Sequence, residues 1–138
     1  MSAPLPPALA LRQALYERLV ADAALTALLG GCRIHDVPPR DAAFPFLTLG
    51  ETVTSDWSTA TEGGTEHALT LHAWSRAAGR REAFEISAAV QQALHDAPLA
   101  PHGHRLANLR ATTAEVRREG DGRTFHAVIR FRAVTEPA

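Results

Sequence analysis

The chain ends in two long runs of alternating apolar and polar residues, at positions 104–118 and 123–135, around Glu119, Gly120, Asp121 and Gly122. A period of two places successive side chains on opposite faces of a strand. Asp-Gly between two such runs is a strong hairpin signal. We therefore expect two long antiparallel strands. In the second, Phe125, Ala127, Ile129, Phe131 and Ala133 face one way, and His126, Arg130 and Arg132 face the other.

Two further segments, residues 46–53 and 65–74, also alternate and predict another strand pair. In the first of these, Leu47, Leu49 and Val53 are expected to share a face. In the second, Leu69, Leu71 and Ala73 share a face with His67, opposite Thr70, His72 and Trp74. The polar residues 54–64 between them predict a long hairpin loop. Residues 33–37 predict a short strand that ends at Pro38.

Three segments have helical character. Leu11, Leu15 and Leu19 repeat every four residues. Asp22 is placed to cap a short helix at residues 23–29, which the following glycine pair would end. Residues 80–95 carry the clearest apolar stripe, formed by Ala83, Ile86, Val90 and Leu94.

The order of these elements predicts an α+β fold in one domain, residues 1–138. An antiparallel sheet of about four to five strands would have two to three helices packed on one face. Prolines at positions 4, 6 and 7 predict an extended N-terminal arm over residues 1–7.

Composition excludes several classes of protein. A hydrophobic fraction of 46% is too high for a disordered chain, and a net charge of −1 gives no general attraction to nucleic acid or membrane. All 14 basic residues are arginine. Cys32 is the single cysteine, which excludes an intrachain disulfide. We see neither a signal peptide nor an apolar stretch near the ~20 residues that span a bilayer, so we expect a protein used inside the cell without membrane contact.

We predict no catalytic, metal or cofactor site and no enzyme activity. His102 and His104 alone make a weak metal site, and Asp121-Gly122 lacks the other acidic ligands of a calcium loop. The glycine pairs lack the residues of a phosphate-binding loop. Ser58 has no glycine elbow around it.

Arginines on the last two strands form one candidate interaction surface. Arg110 and Arg118 are expected to share a strand face that excludes Arg117, while Arg130 and Arg132 share the outer face of the last strand. They either pair with Glu115, Glu119 or Asp121 as weak surface ion pairs or face another subunit or a DNA-containing lumen.

The two tryptophans form the other candidate. Trp74 should lie on the sheet face opposite Leu71, covered either by a neighbouring subunit or, with the strand phase flipped by a bulge, by Arg81 and the 80–95 helix. Trp57 lies in the polar loop. It either marks a contact formed on assembly or packs locally against Phe44 or Phe46.

Landmarks along most of the chain, from position 9 to position 135, together resemble one protein family. They are Leu11-Arg12-Gln13-Ala14-Leu15-Tyr16, Leu25-Thr26-Ala27-Leu28-Leu29-Gly30-Gly31, Val37-Pro38-Pro39, Phe44-Pro45-Phe46-Leu47-Thr48-Leu49-Gly50, Asp56-Trp57-Ser58, Leu71-His72-Ala73-Trp74-Ser75, Asp121-Gly122-Arg123-Thr124 and Ile129-Arg130-Phe131-Arg132-Ala133. At these spacings the chain resembles the tail-terminator, or tail-completion, proteins of long-tailed bacteriophages and gene transfer agents.

The resemblance implies a virion structural protein that forms a ring, a homohexamer, at the head-proximal end of the tail tube. Such a ring ends tube polymerisation and offers a surface for head-tail joining. Its partners would be itself, the tail tube protein and the head-tail connector protein, and DNA could pass through the lumen without sequence-specific binding. The protein would be cytoplasmic during assembly and then part of the tail or neck of the phage or gene-transfer-agent particle.

By the same resemblance, the loop residues Asp56, Trp57, Ser58 and Thr59 would contact the tube or connector. Contacts between subunits or with the lumen would involve Trp74, Arg80, Arg81, Arg110, Arg130 and Arg132. Two alternatives remain: a head-completion or connector protein of the neck, and a small nucleic-acid-binding module whose exposed arginines would bind with strong salt dependence.

Overall fold

The computed structural model describes residues 5–138, so most of the expected N-terminal arm lies outside the described residues. Its three helices are α1 (Pro7–Val20), α2 (Ala23–Leu29) and α3 (Arg81–Leu94). Its five strands are β1 (Ile34–His35), β2 (Phe46–Asp56), β3 (Thr65–Ser75), β4 (His104–Arg118) and β5 (Phe125–Pro137). Pro7 is the first residue of α1, a position where proline is favoured because its fixed φ suits the helix.

The α+β fold is confirmed, with one sheet of strand order β1-β2-β3-β5-β4. The pairs β2–β3, β3–β5 and β4–β5 are antiparallel, and the short β1 pairs parallel to β2. The sheet is therefore mixed where we expected it to be antiparallel. The expected hairpin at Asp121-Gly122 joins β4 to β5, and Gly122 has a positive φ of 74°.

The helix caps and the apolar stripe predicted from the sequence are confirmed. Asp22 caps α2, accepting a hydrogen bond from the Leu25 N–H at 2.8 Å. Gly30 ends that helix in the left-handed conformation, with φ 77°. The predicted stripe of α3, Ala83, Ile86, Val90 and Leu94, is fully buried.

Alternate residues of the central strands enter a core that also contains leucines of α1 and α2 and the stripe of α3. From β3 these are Leu69, Leu71 and Ala73, and from β5 they are Phe125, Ala127, Ile129, Phe131 and Ala133. The intervening residues, Trp74 and His126 among them, point to the opposite side because a strand alternates its side chains. We call that side the Trp74 face. No helix of residues 5–138 is both long and apolar enough to cross a bilayer.

Three register shifts interrupt the strand pairs, and two of them fall where the sequence had predicted which face a residue occupies. Between Leu49 and Thr52 the register of β2 shifts, so Val53 pairs with Ala68 and is exposed on the Trp74 face. The expectation that it shares a face with Leu47 and Leu49 is wrong. A second shift, between Ala111 and Thr113 of β4, puts Arg117 on the Trp74 face and Arg118 off it. The expected grouping of Arg110 with Arg118 is therefore wrong, because each bulge inserts one extra residue.

Candidate functional site

The β2–β3 loop is shorter than expected, because residues 54–56 pair with β3. The remaining residues 57–64, here called the tip loop, fold on themselves. The Trp57 N–H donates to the Gly64 carbonyl at 2.9 Å, and the Thr59 N–H donates to the Glu62 carbonyl at 2.7 Å. Thr59 Oγ1 in turn accepts from the Glu62 N–H at 3.0 Å. The loop is thus a structured turn.

Asp56 and Ser58 brace the start of the tip loop. Asp56 Oδ1 accepts hydrogen bonds from the Ser58 hydroxyl at 2.5 Å and from the Ser58 N–H at 3.0 Å. These two bonds, the hydroxyl bond most strongly, hold the pKa of Asp56 below its ordinary value. The Ser58 hydroxyl also accepts from the Gly64 N–H at 3.2 Å. Asp56, Ser58 and Thr59 therefore shape the loop that presents Trp57.

Trp57 lies against Arg132. This contact connects the expected interaction residues of the tip loop with the expected arginine surface of the last two strands. The Arg132 guanidinium is 4.9 Å from the centre of the Trp57 ring, a cation–π distance. Its Nε donates to Glu66 Oε2 at 2.6 Å. The expected local alternative, packing on Phe44 or Phe46, is not what occurs. With 53% of its surface exposed, Trp57 remains available for contact.

Trp74 lies on the predicted face and packs on a histidine. Its ring stacks on His126 with a centroid distance of 3.8 Å and an interplanar angle of 11°. Its Nε1 donates to Thr48 Oγ1 at 3.3 Å. The alternative in which a bulge turns Trp74 toward α3 is wrong, since β3 and β5 pair without a shift from Thr65 to Ser75.

A line of polar contacts crosses the Trp74 face beside this stack. His72 Nδ1 lies 2.6 Å from His126 Nε2, while His72 Nε2 lies 3.0 Å from Glu51 and His126 Nδ1 lies 2.7 Å from Glu119. Burial lowers the pKa of His126, and its hydrogen bond to Glu119 opposes that shift. The sequence placed both histidines on outer strand faces. That the two histidines lie side by side could not be predicted from either strand alone, because it depends on the register between β3 and β5.

The arginines of the Trp74 face are partly paired. Arg130 Nη1 lies 3.8 Å from Glu115 Oε1, and Arg117 lies 3.7 Å from the same atom and 3.6 Å from Glu119. This matches the expected surface ion pairs, each worth at most about 1 kcal/mol. Arg110 is exposed opposite Arg132 and makes no ion pair within residues 5–138.

Arg80 and Arg81 lie at the start of α3, away from the Trp74 stack. The Arg80 guanidinium is 5.3 Å from the centre of the Phe125 ring. Arg81 Nε donates to Glu85 Oε1 at 3.2 Å, one helical turn along. Both residues are exposed, so neither covers Trp74.

Within the described part of the chain, no three His, Cys, Asp or Glu side chains are grouped to hold a metal ion. Of the two histidines considered as metal ligands, His104 already contacts the backbone, with its Nε2 2.6 Å from the Leu5 carbonyl oxygen. Aromatic rings, arginine forks and carboxylates on one sheet face are instead the groups that protein interfaces use.

Known proteins resemble the chain over nearly its whole length. Tail completion protein gp17 of Bacillus phage SPP1 is 27% identical over 123 residues, which cover 89% of this chain and 90% of that protein. A chain of a structure described as the virion of a native gene transfer agent particle superposes with a TM-score of 0.87 and 35% identity, covering 94% of this chain and 96% of that one. The family described as tail completion protein gp17 matches residues 13–136, and the chain belongs to that family.

Proposed function

We propose that this protein caps the head-proximal end of a tail tube as a ring, ends polymerisation of the tube and provides the surface for head joining. The observation that carries the proposal is its membership of the tail completion family over residues 13–136. The similar chain in a gene transfer agent virion supports a structural role in a phage or gene-transfer-agent tail. Such a role needs no covalent chemistry.

In this proposal the tip loop makes the axial contact with the tube or connector ring. Trp57 is large, about half exposed and fixed at the loop base by the Gly64 hydrogen bond and by Arg132. A rigid aromatic loses little side-chain entropy when a partner covers it, which is why such residues dominate interface energies. Asp56, Ser58 and Thr59 hold the loop in the presenting conformation.

The start of α3 would take part in lateral contacts of the ring, and the arginines of the Trp74 face would meet a neighbouring subunit or the lumen. A closed ring needs a heterologous joint, in which different patches of one subunit meet. Arg110, Arg130 and Arg132 on one side and Arg80 and Arg81 on the other can pair with carboxylates of neighbours. Any of these arginines that faced the lumen would contact passing DNA through phosphates, without reading its sequence.

Electron microscopy of particles from cells lacking the gene tests this proposal. We expect overlong tubes that carry no heads, and rescue by a plasmid copy of the gene. Tails of normal length on normal heads would contradict the capping role. Filled or empty heads beside detached tails of normal length would instead favour a connector role in the neck.

A further inference from the structure

A hollow of about 530 Å³, lined by both apolar and polar side chains, lies open to solvent where α1 passes β1. Its rim holds three exposed apolar side chains, Leu9, Tyr16 and Val37, of which 42%, 42% and 81% is accessible. Leu9 and Tyr16 are seven residues apart on α1, two helical turns, and so share one face. Exposed large apolar residues gathered at a hollow mark a contact surface.

A matching apolar projection, Phe84, lies at the other edge of the molecule. Phe84 is 57% exposed on α3. It precedes His95 by three helical turns and so shares its flank of the helix. That flank is the β4 side, because the Ala111 N–H donates to His95 Nδ1 at 3.0 Å. In the sheet order, β4 and β1 are the two opposite edges.

The hollow and Phe84 also lie at nearly the same height along the strands. Ile34, in the hollow, belongs to a cross-sheet row that continues through Leu47, Ala73, Ala127 and Val116. The first turn of α3 lies about two rows, roughly 7 Å, farther along the strands. Ser75, which pairs with Phe125, donates from its hydroxyl to Glu82 Oε1 at 2.7 Å. A second copy could therefore meet the first edge to edge with little axial displacement.

Charge on the two edges is complementary. β4, at one edge, carries Arg105, Arg110, Arg117 and Arg118 against the single acidic Glu115. β2, the long strand beside the two-residue edge strand β1, carries Glu51 and Asp56 and no basic residue. Glu17 lines the hollow, and Arg118 ends β4 in the row of Phe125. Neither Glu17 nor Arg118 makes an ion pair within residues 5–138, and both are exposed. An acidic group at one patch and a basic group at the other favour one orientation of the joint.

We propose that Phe84 of one copy fills the α1–β1 hollow of the next copy, with Arg118 facing Glu17 across the joint. The interface is heterologous, because two different patches meet. Repeating the same contact from one subunit to the next can therefore close a ring. This inference rests on the proposed function, in which the protein forms a ring, and it specifies the contact between neighbouring subunits. The buried aromatic would be the energetic centre, and the charges at the rim would fix orientation.

Cysteine cross-linking in purified particles tests the joint. The natural thiol is first removed by Cys32→Ser, since Cys32 is exposed. Phe84→Cys and Val37→Cys are then introduced in the same chain and treated with a short bifunctional thiol reagent. We expect a ladder of covalent oligomers that ends at a closed ring. Either cysteine alone gives none, because each meets a different patch of its neighbour.

The control replaces Val37→Cys by Val53→Cys, which is also well exposed, at 65% against 81%, but lies on the Trp74 face. A ladder from the 84–53 pair and none from 84–37 would overturn this joint and leave the ring intact. Dimers from Phe84→Cys alone would show a two-fold contact and also overturn it. Failure to cross-link at either pair in particles with tails of normal length refutes the joint alone, whereas normal tails without the gene refute the proposed function.

A second variant measures assembly directly. Phe84→Asp should keep the wild-type melting temperature within a few degrees yet reduce particle yield at least tenfold, because the charge cannot enter the hollow. Ala24→Asp, exposed in the first turn of α2, which neither lines the hollow nor carries Phe84, is the control and should assemble normally. Equal particle yields from both variants would contradict the proposal.

Discussion

The guanidinium of Arg132 lies over the ring of Trp57 at 4.9 Å while its Nε donates to Glu66 at 2.6 Å. Arg132 of β5 thus contacts β3 through Glu66 and the base of the tip loop through Trp57. A loop held in this way presents its aromatic side chain to a partner at a lower entropy cost than a mobile loop would.

Trp57→Ala should therefore affect assembly and not folding. Because Trp57 is half exposed and its contact with Arg132 is worth about 1 kcal/mol or less, we expect a melting temperature close to wild type with a clear loss of particles. Thermal unfolding followed by circular dichroism and particle counts in the microscope measure the two effects. Thr61→Ala, exposed in the same loop, is the control. Insoluble protein would instead make Trp57 part of the core.

Trp74 should contribute to stability through its stack on His126. Trp74→Ala removes the stack and the hydrogen bond to Thr48, and we expect a loss of about 2 kcal/mol, below the value for a fully buried tryptophan. Trp74→Phe keeps a ring and should lose roughly half as much. Urea unfolding of both variants checks the order. Equal losses would mean that the stacked ring itself contributes little.

The sequence predicted those features that depend on neighbours in the chain. Asp22 and Gly30 fix the bounds of α2 by capping, and the apolar period of α3 alone identifies its buried face. Each signal acts within one or two helical turns, so it needs no knowledge of the rest of the fold.

Features set by tertiary pairing could not be predicted in this way. The bulge after Ala111 reverses the face of Arg118, and alternation read along one strand assumes that no residue is inserted. The contact of Trp57 with Arg132 depends on the register of β3 against β5, which neither strand determines alone. β1 has two residues, and a strand so short carries no sequence signal for parallel or antiparallel pairing.

Stability should fall between pH 7.5 and pH 5 because of His67. This side chain is fully buried, and its Nε2 lies 2.9 Å from Thr135 Oγ1. Burial lowers the pKa of His67, and the nearby His104 lowers it further. The unfolded chain, with a histidine pKa of about 6.5, then binds more protons than the folded one, so stability present at neutral pH is lost as pH falls.

The measurement is the free energy of unfolding in urea at several pH values. The slope attributable to His67 cannot exceed about 1.4 kcal/mol per pH unit. His67→Gln should flatten the curve, leaving the contribution of His126, whose pKa burial also lowers. Asp121 does not interfere, since hydrogen bonds from Thr124 and Arg123 lower its pKa to about 2. A variant with the wild-type slope would exclude His67 as the titrating group.

Ile86→Asp should unfold the protein. Ile86 is fully buried in the stripe of α3, and an unpaired carboxylate there costs more than about 4 kcal/mol, a large share of the stability of a small domain. Loss of the helical circular dichroism signal is the readout. Ala88→Asp, on the exposed side of the same helix, should remain folded. A folded Ile86→Asp protein would show that the α3 face is wrongly assigned.

Gly50 should tolerate no side chain, because the β2 bulge brings it against the neighbouring strand. A Cβ at this position would lie 2.7 Å from the Thr70 carbonyl oxygen and 2.6 Å from His72 Cδ2. The histidine ring could turn aside, but the Thr70 oxygen is backbone in a paired strand and cannot move freely. Gly50→Ala should therefore cost about 1–3 kcal/mol and displace His72 from Glu51. Gly120→Ala, where a Cβ would meet no atom within 4 Å, is the matched control and should be nearly neutral. Urea midpoints compare the two variants, and equal midpoints would mean that the bulge relaxes to admit the methyl group.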